Sequence, residues 1–243
     1  MRPTSKAPQR GLLRSLQRRL WRSLSDRVLF DVAVREHACR QEFFYNAFRT
    51  LKFNGISGDY LEFGCWGART FALAYHEAKR HGHAAHLWGF DSFEGLPPPK
   101  DARDDHPVWS EGNLAMSLDS FHRTCAENGV PRSAYTTVPG FYEHSLPAMA
   151  SAPADAPADV ALAYIDCDMY SSTVTVLDFL APRMKHGMIV AFDDWNCWSA
   201  TEPAGERRAL LEFQARDPRR NWVEYMRYGW AGNSFVLEDR SLT

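Results

Sequence analysis

The chain has 243 residues, 45% hydrophobic and 24% charged, with a formal net charge of −2. That length fits one large α/β domain, and the near-zero charge excludes a protein that binds nucleic acid electrostatically. No apolar run approaches the roughly 20 residues needed to span a bilayer, and the charged start MRPTSKAPQR lacks the apolar core of a secretory signal.

The charge is uneven. Residues 1–27 carry eight Lys and Arg against one acid, Asp26, which leaves the remainder at −9. Leu13, Leu16, Leu20 and Leu24 recur at helical spacing, with Arg14, Arg18, Arg19 and Arg22 over much of the rest, which predicts an amphipathic helix over 11–25. Two readings stand side by side: a weak membrane-surface contact through residues 1–27, and packing on the domain or on a second copy in a homo-oligomer. A further helix is expected over 31–52, rich in aromatics (Phe43, Phe44, Tyr45, Phe48), as a cap over the active site or an oligomer contact. Residues 1–57 are accordingly an N-terminal helical extension and cap, and 58–243 the main domain.

From Gly58 strands alternate with helices. GDYLEF and HLWGFD are the first two strands, with a helix over 68–80 between them. A polar loop, 94–113, holds Pro97, Pro98 and Pro99 and leads to a helix over 117–128. YTTVPG and ALAYID follow as strands, then a helix over 171–182, the strand GMIVAFDD and a helix over 203–216. WVEYM and NSFVLED close the chain as an antiparallel hairpin. Strands separated by helices imply crossover units and a mostly parallel sheet. The expected fold is α/β, Rossmann-like, with a seven-stranded mostly parallel sheet and a C-terminal antiparallel hairpin. That pattern fits a class I methyltransferase better than a dinucleotide dehydrogenase.

In open α/β sheets ligands bind at the carboxyl ends of the strands. After the first strand stands Glu62-Phe63-Gly64-Cys65-Trp66-Gly67. Gly64 permits close backbone approach to a ligand, and Gly67 opens the next helix. The second strand ends in Asp91, 24 residues after Gly67, where an acid accepts hydrogen bonds from ribose hydroxyls. Glu62 suits a cationic group such as an amino-acid ammonium. The full GxGxxG that cradles a pyrophosphate is missing, which favours S-adenosyl-L-methionine over NAD.

The fourth strand ends in Asp166-Cys167-Asp168 and the fifth in Asp193-Asp194-Trp195. Carboxylates converging on one sheet edge repel one another unless neutralised, and a hard divalent cation does so with oxygen ligands alone. Mg2+ would lower the pKa of an acceptor alcohol and align it, and a carboxylate beside it would take the proton. Mn2+ and Ca2+ suit the same ligands.

These residues resemble the macrocin O-methyltransferase (TylF-type) family, the sugar O-methyltransferases of macrolide and aminocoumarin biosynthesis. The likeness rests on YLEFGCWGARTF, GFDSFEGLP, WSEGNLA, VPGFYEHSLP, YIDCDMYSST and FDDW, in the family's order over roughly residues 58–215. It implies that Glu62, Gly64 and Asp91 contact S-adenosyl-L-methionine, with Ser92 and Phe93 beside the adenosine and Gly140 and Phe141 near the adenine. It implies that Asp166, Asp193 and Asp194 bind Mg2+ and that Asp166 is the general base, with Asp168 either orienting backbone or joining the ligands. Met169 stands where metal-dependent catechol methyltransferases carry a Lys. The implied partner is a small hydroxylated acceptor, foremost a sugar unit of a natural product or glycan. A phenol or catechol acceptor is the alternative, as is a non-catalytic binding protein on the same fold.

Five cysteines (Cys39, Cys65, Cys125, Cys167, Cys197) are scattered without a CxxC pair, which points to a reducing, cytoplasmic setting. His81, His83 and His86 lie at the far edge of the sheet and read as surface residues. His144 reads as structural or as an auxiliary base near the acceptor, and Trp195, Trp198 and Trp230 as packing residues or flat faces for an acceptor.

Overall fold

The structure is a computed structural model. It describes residues 9–199 and 201–242, with side chains from Asp26 onward apart from that of Pro153. The elements in chain order are α1 (Gln9–Phe53), β1 (Asp59–Phe63), α2 (Arg69–Arg80), β2 (Leu87–Asp91), α3 (Leu118–Glu127), β3 (Tyr135–Pro139), α4 (Tyr142–Ala150), β4 (Val160–Ile165), α5 (Tyr170–Leu180), β5 (Ile189–Phe192), α6 (Gly205–Arg216), β6 (Arg220–Tyr228) and β7 (Gly232–Asp239).

The chain divides into two units after Cys39, earlier than the expected boundary at 57. In the first unit the described side chains Val28, Leu29, Phe30, Val32 and Val34 are exposed. The membrane-surface reading of residues 1–27 rests mainly on side chains that lie outside the described residues. In the second unit, residues 40–53 bury Phe43, Phe44, Phe48 and Leu51 completely. Phe44 meets Tyr60 edge-on at 5.8 Å, and Phe43 stacks on Tyr228 at 4.5 Å. That aromatic packing makes the end of α1 part of the domain.

The two expected N-terminal helices are one. No Gly or Pro falls between Leu12 and Phe53, so nothing breaks the helix. It stops at Gly55, whose φ is +69°, with the Ile56 N–H returning to the Leu51 carbonyl at 2.9 Å, a left-handed helix end.

The sheet has seven strands in the order β3-β2-β1-β4-β5-β7-β6. β1 to β5 are parallel, and β7 runs antiparallel to both β5 and β6. Apolar side chains fill both faces. Tyr60 joins the layer of Phe44, Phe71 and Phe121, while its neighbour Leu61 joins Phe179, Leu210 and Phe213, as the period of two in a strand requires. Every residue of β4 is buried, which is the mark of a central parallel strand covered on both faces. Among the described residues no helix is long and apolar enough to cross a membrane, and all five cysteines are free.

Candidate active site

The strand order reverses between β1 and β4, so the crevice lies beyond their carboxyl ends. The ladder continues one residue past each strand. Asp166 N–H donates to the Phe63 carbonyl at 2.8 Å, Asp193 N–H to Ile165 at 2.9 Å, and Gly64 N–H to Phe90 at 2.9 Å. These bonds place the site residues side by side. Gly64 is demanded by that closeness. Its φ is +92°, and a Cβ there would lie 1.8 Å from the Asp166 carbonyl oxygen. The close approach is thus to the neighbouring loop as well as to the cavity that Gly64 lines.

That cavity holds about 750 Å³, part of it open to solvent, within the range of small-molecule sites. Of the expected cofactor residues, Gly64, Asp91, Ser92 and Phe141 line it. Asp91 Oδ2 accepts the Cys65 N–H and Oδ1 the Phe93 N–H, both at 2.7 Å. Burial raises its pKa despite these bonds. Each carboxylate oxygen can accept more than one hydrogen bond, and Asp91 lines the cavity. Ser92 Oγ donates to the Gly95 carbonyl at 2.7 Å and shapes the turn below it.

The other three lie elsewhere. Glu62 is fully buried; Tyr60 OH donates to its Oε2 and Thr70 Oγ1 to its Oε1, the latter at 2.7 Å. Burial pushes its carboxyl up to about 8 despite both hydrogen bonds. Phe93 has a φ of +57° and packs edge-on against Phe121 at 5.6 Å. Gly140 serves the backbone, its N–H donating to the Asp91 carbonyl at 2.9 Å.

Sequence reasoning passed over several wall residues. Trp66 is 59% exposed above the cavity, and Leu96 and Leu114 come from the long loop. Lys100 on that loop pairs with Glu143 on α4 at 2.5 Å, and both line the cavity. Trp66 sits inside the glycine motif and could have been found there. Glu143 stands in the VPGFYEHSLP stretch, but its pairing with Lys100, far away in sequence, carried no signal.

The acids form two groups. Asp166, Asp168 and Asp194 bring ligand atoms within 4.8 Å of one another. Asp166 and Asp168 also line the cavity. Burial first, then the neighbouring carboxylates, raise the pKa values of Asp166 and Asp168 and push Asp194 up to about 6. Asp194 Oδ2 is buried and receives no hydrogen bond among the described residues. An orphaned carboxylate oxygen beside two further carboxylates is a donor set that fits a hard divalent cation. Asp168 itself has a φ of +60°, a conformation a non-glycine residue holds only under constraint. Asp193 lies close to Asp166 and Asp194, and its repulsion helps raise both their pKa values, but its own oxygens are taken up by a cation of the protein. Arg40 Nε donates to its Oδ1 at 3.0 Å and Nη2 to its Oδ2 at 2.5 Å, and Tyr164 OH also donates to Oδ1. Asp193 is therefore matched by Arg40, whereas Asp168, for which the sequence leaves both roles open, stands in the cluster.

The histidines stay outside. His83 is buried and bonds the Gly58 carbonyl, and His86 bonds Thr136. His144 is exposed beside Glu143.

A seven-stranded sheet with this order, an antiparallel last pair and a crevice at the β1/β4 switch defines the Rossmann-like fold of class I methyltransferases. The solved O-methyltransferase NovP shares that fold with a TM-score of 0.70 and 23% identity, over 83% of this chain and 80% of that one. CalS11, a calicheamicin methyltransferase, does so with a TM-score of 0.63 and 21% identity, over 96% and 87%. The sequence pattern of the Macrocin-O-methyltransferase (TylF) family matches residues 37–217, and the chain belongs to that family. The 8-demethyl-8-(2,3-dimethoxy-alpha-L-rhamnosyl)-tetracenomycin-C 4'-O-methyltransferase of Streptomyces olivaceus is 30% identical over 154 residues, 60% of this chain and 56% of that protein. Mycinamicin III 3''-O-methyltransferase of Micromonospora griseorubida is 30% identical over 166 residues, 64% and 62%. The match thus spans about three fifths of these relatives' length.

Proposed function

We propose that this chain transfers a methyl group from S-adenosyl-L-methionine to a hydroxyl of a small molecule, a sugar unit of a natural product or glycan, with Mg2+ assistance. The observation that carries the reading is that Asp91 and the acids Asp166 and Asp168 open onto one cavity. Asp91 accepts the ribose hydroxyls with its free lone pairs, and Phe141 and Leu96 offer apolar surface to the base. The relatives support the acceptor class, one being named for a rhamnosyl-bearing compound.

Asp166, Asp168 and Asp194 would hold the cation, which when bound lowers the pKa of an acceptor hydroxyl. Asp166 and Asp194 belong to the set expected from sequence; Asp193 of that set pairs with Arg40, and Asp168 is favoured over it. Asp166 lines the cavity and takes the hydroxyl proton on its carboxylate as the oxygen attacks the sulfonium methyl. Leu96, Leu114 and the Lys100–Glu143 pair line the same cavity. Met169 supplies no base of the catechol type.

The test is transfer of labelled methyl from S-adenosyl-L-methionine to a panel of deoxysugar-bearing acceptors and to simple catechols. Turnover of a glycosylated acceptor that stops with EDTA and returns with Mg2+ is expected. Turnover of catechols alone, or turnover indifferent to EDTA, contradicts the reading.

A further inference from the structure

Glu206, the second residue of α6, is completely buried. Its Oε1 accepts the Cys167 N–H at 3.3 Å and its Oε2 the Asp194 N–H at 2.9 Å. Cys167 lies between Asp166 and Asp168, so one carboxylate ties together the two loops that carry the acids. The segment around it is built for that contact. Gly205 has a φ of +50°, and a Cβ there would lie 2.3 Å from the Trp198 ring. Trp198 in turn donates its Nε1–H to the Asp168 carbonyl at 2.6 Å. A fourth buried acid beside Asp166, Asp168 and Asp194 adds repulsion. Its place is explained by two buried backbone N–H groups that only a two-oxygen acceptor satisfies together. The N-terminal turn of α6 further favours a negative charge.

We infer that Glu206 is a positioning residue that sets the spacing of Asp166 and Asp168 relative to Asp194, and through it the affinity for the divalent cation. The inference rests on the cation reading given above. Glutamine has one acceptor oxygen, and its amide N–H2 would face the second backbone N–H. Aspartate keeps the charge but is one methylene too short to reach both loops.

The experiment is direct Mn2+ binding to the purified chain, read from the electron paramagnetic resonance of free Mn2+, for the wild type, Glu206→Gln and Glu206→Asp. S-adenosylhomocysteine affinity is measured on the same samples by calorimetry. Loss of a group that orients metal ligands costs about 10–100-fold in affinity. The expected result is that loss for Mn2+ in Glu206→Gln, a smaller one in Glu206→Asp, and S-adenosylhomocysteine affinity unchanged within about twofold in both. A general loosening of the fold would weaken both ligands together and overturns the inference, as does Mn2+ affinity equal to wild type. Should Glu206→Gln not fold, Glu206→Asp alone decides by the same comparison. A wild type that binds S-adenosylhomocysteine but no Mn2+ removes the cation reading itself, and the inference with it.

Discussion

Arg40 grips both carboxylate oxygens of Asp193, 153 residues further along the chain, at 3.0 and 2.5 Å. The pair fastens the end of α1 to the turn after β5 and neutralises one of the acids at the sheet edge. Arg40 is 23% exposed and Asp193 8%, so removal of one partner strands a buried charge. Arg40→Ala is expected to destabilise the domain by about 3 kcal/mol, near the low end for a broken buried pair. Arg40→Lys should recover only part, because a lysine cannot make the two-pronged contact. Urea denaturation of the three proteins checks this.

Asp168 and Asp193 should part ways in cation binding. Asp168→Asn is expected to weaken Mn2+ by at least about tenfold, whereas Asp193→Asn acts mainly on stability through Arg40. Calorimetric Mn2+ titration of both variants decides. The reverse order of effects would return Asp193 to the ligand set.

Glu62 makes a prediction in pH. Burial holds its carboxyl up at about 8, while the unfolded chain releases that proton near about 4.3. Between those values the folded state binds the proton more tightly, so stability falls as pH rises. Glu62→Gln mimics the neutral acid and should make the fall in Tm from pH 5 to 8 shallower than in the wild type. An unchanged slope, read by thermal melts across that window, would contradict the buried neutral state.

Gly64→Ala would drive a Cβ to within 1.8 Å of the Asp166 carbonyl. The β1 and β4 loops must then separate. Loss of S-adenosylhomocysteine binding is expected even where circular dichroism shows the fold retained.

The strand and helix pattern from Gly58 onward could be read from the sequence because apolar runs and turn residues punctuate it. One helix there escaped notice. α4 contains Pro147 and stands beside an Ala/Pro/Asp stretch, so its periodicity is weak. The split placed in α1 had no breaker residue behind it. The meeting of Gly64, Asp91 and Asp166 at one cavity was legible because strand ends deliver side chains to one edge. The contacts of Arg40 with Asp193 and of Glu206 with the Asp194 N–H were not, because they come from helices remote in sequence and leave no local pattern. The packing of Phe93 on Phe121 likewise had no local signal, since Phe121 lies on α3 beyond the long loop.

The most direct test of the central claim is calorimetric titration of S-adenosylhomocysteine into the wild type and Asp91→Ala. If Asp91 bonds both ribose hydroxyls as proposed, its removal should cost about 3 kcal/mol, or roughly a hundredfold in Kd. Tight binding to the wild type with that loss in the variant is the predicted result. No binding to the wild type, or equal binding to both, would contradict the account.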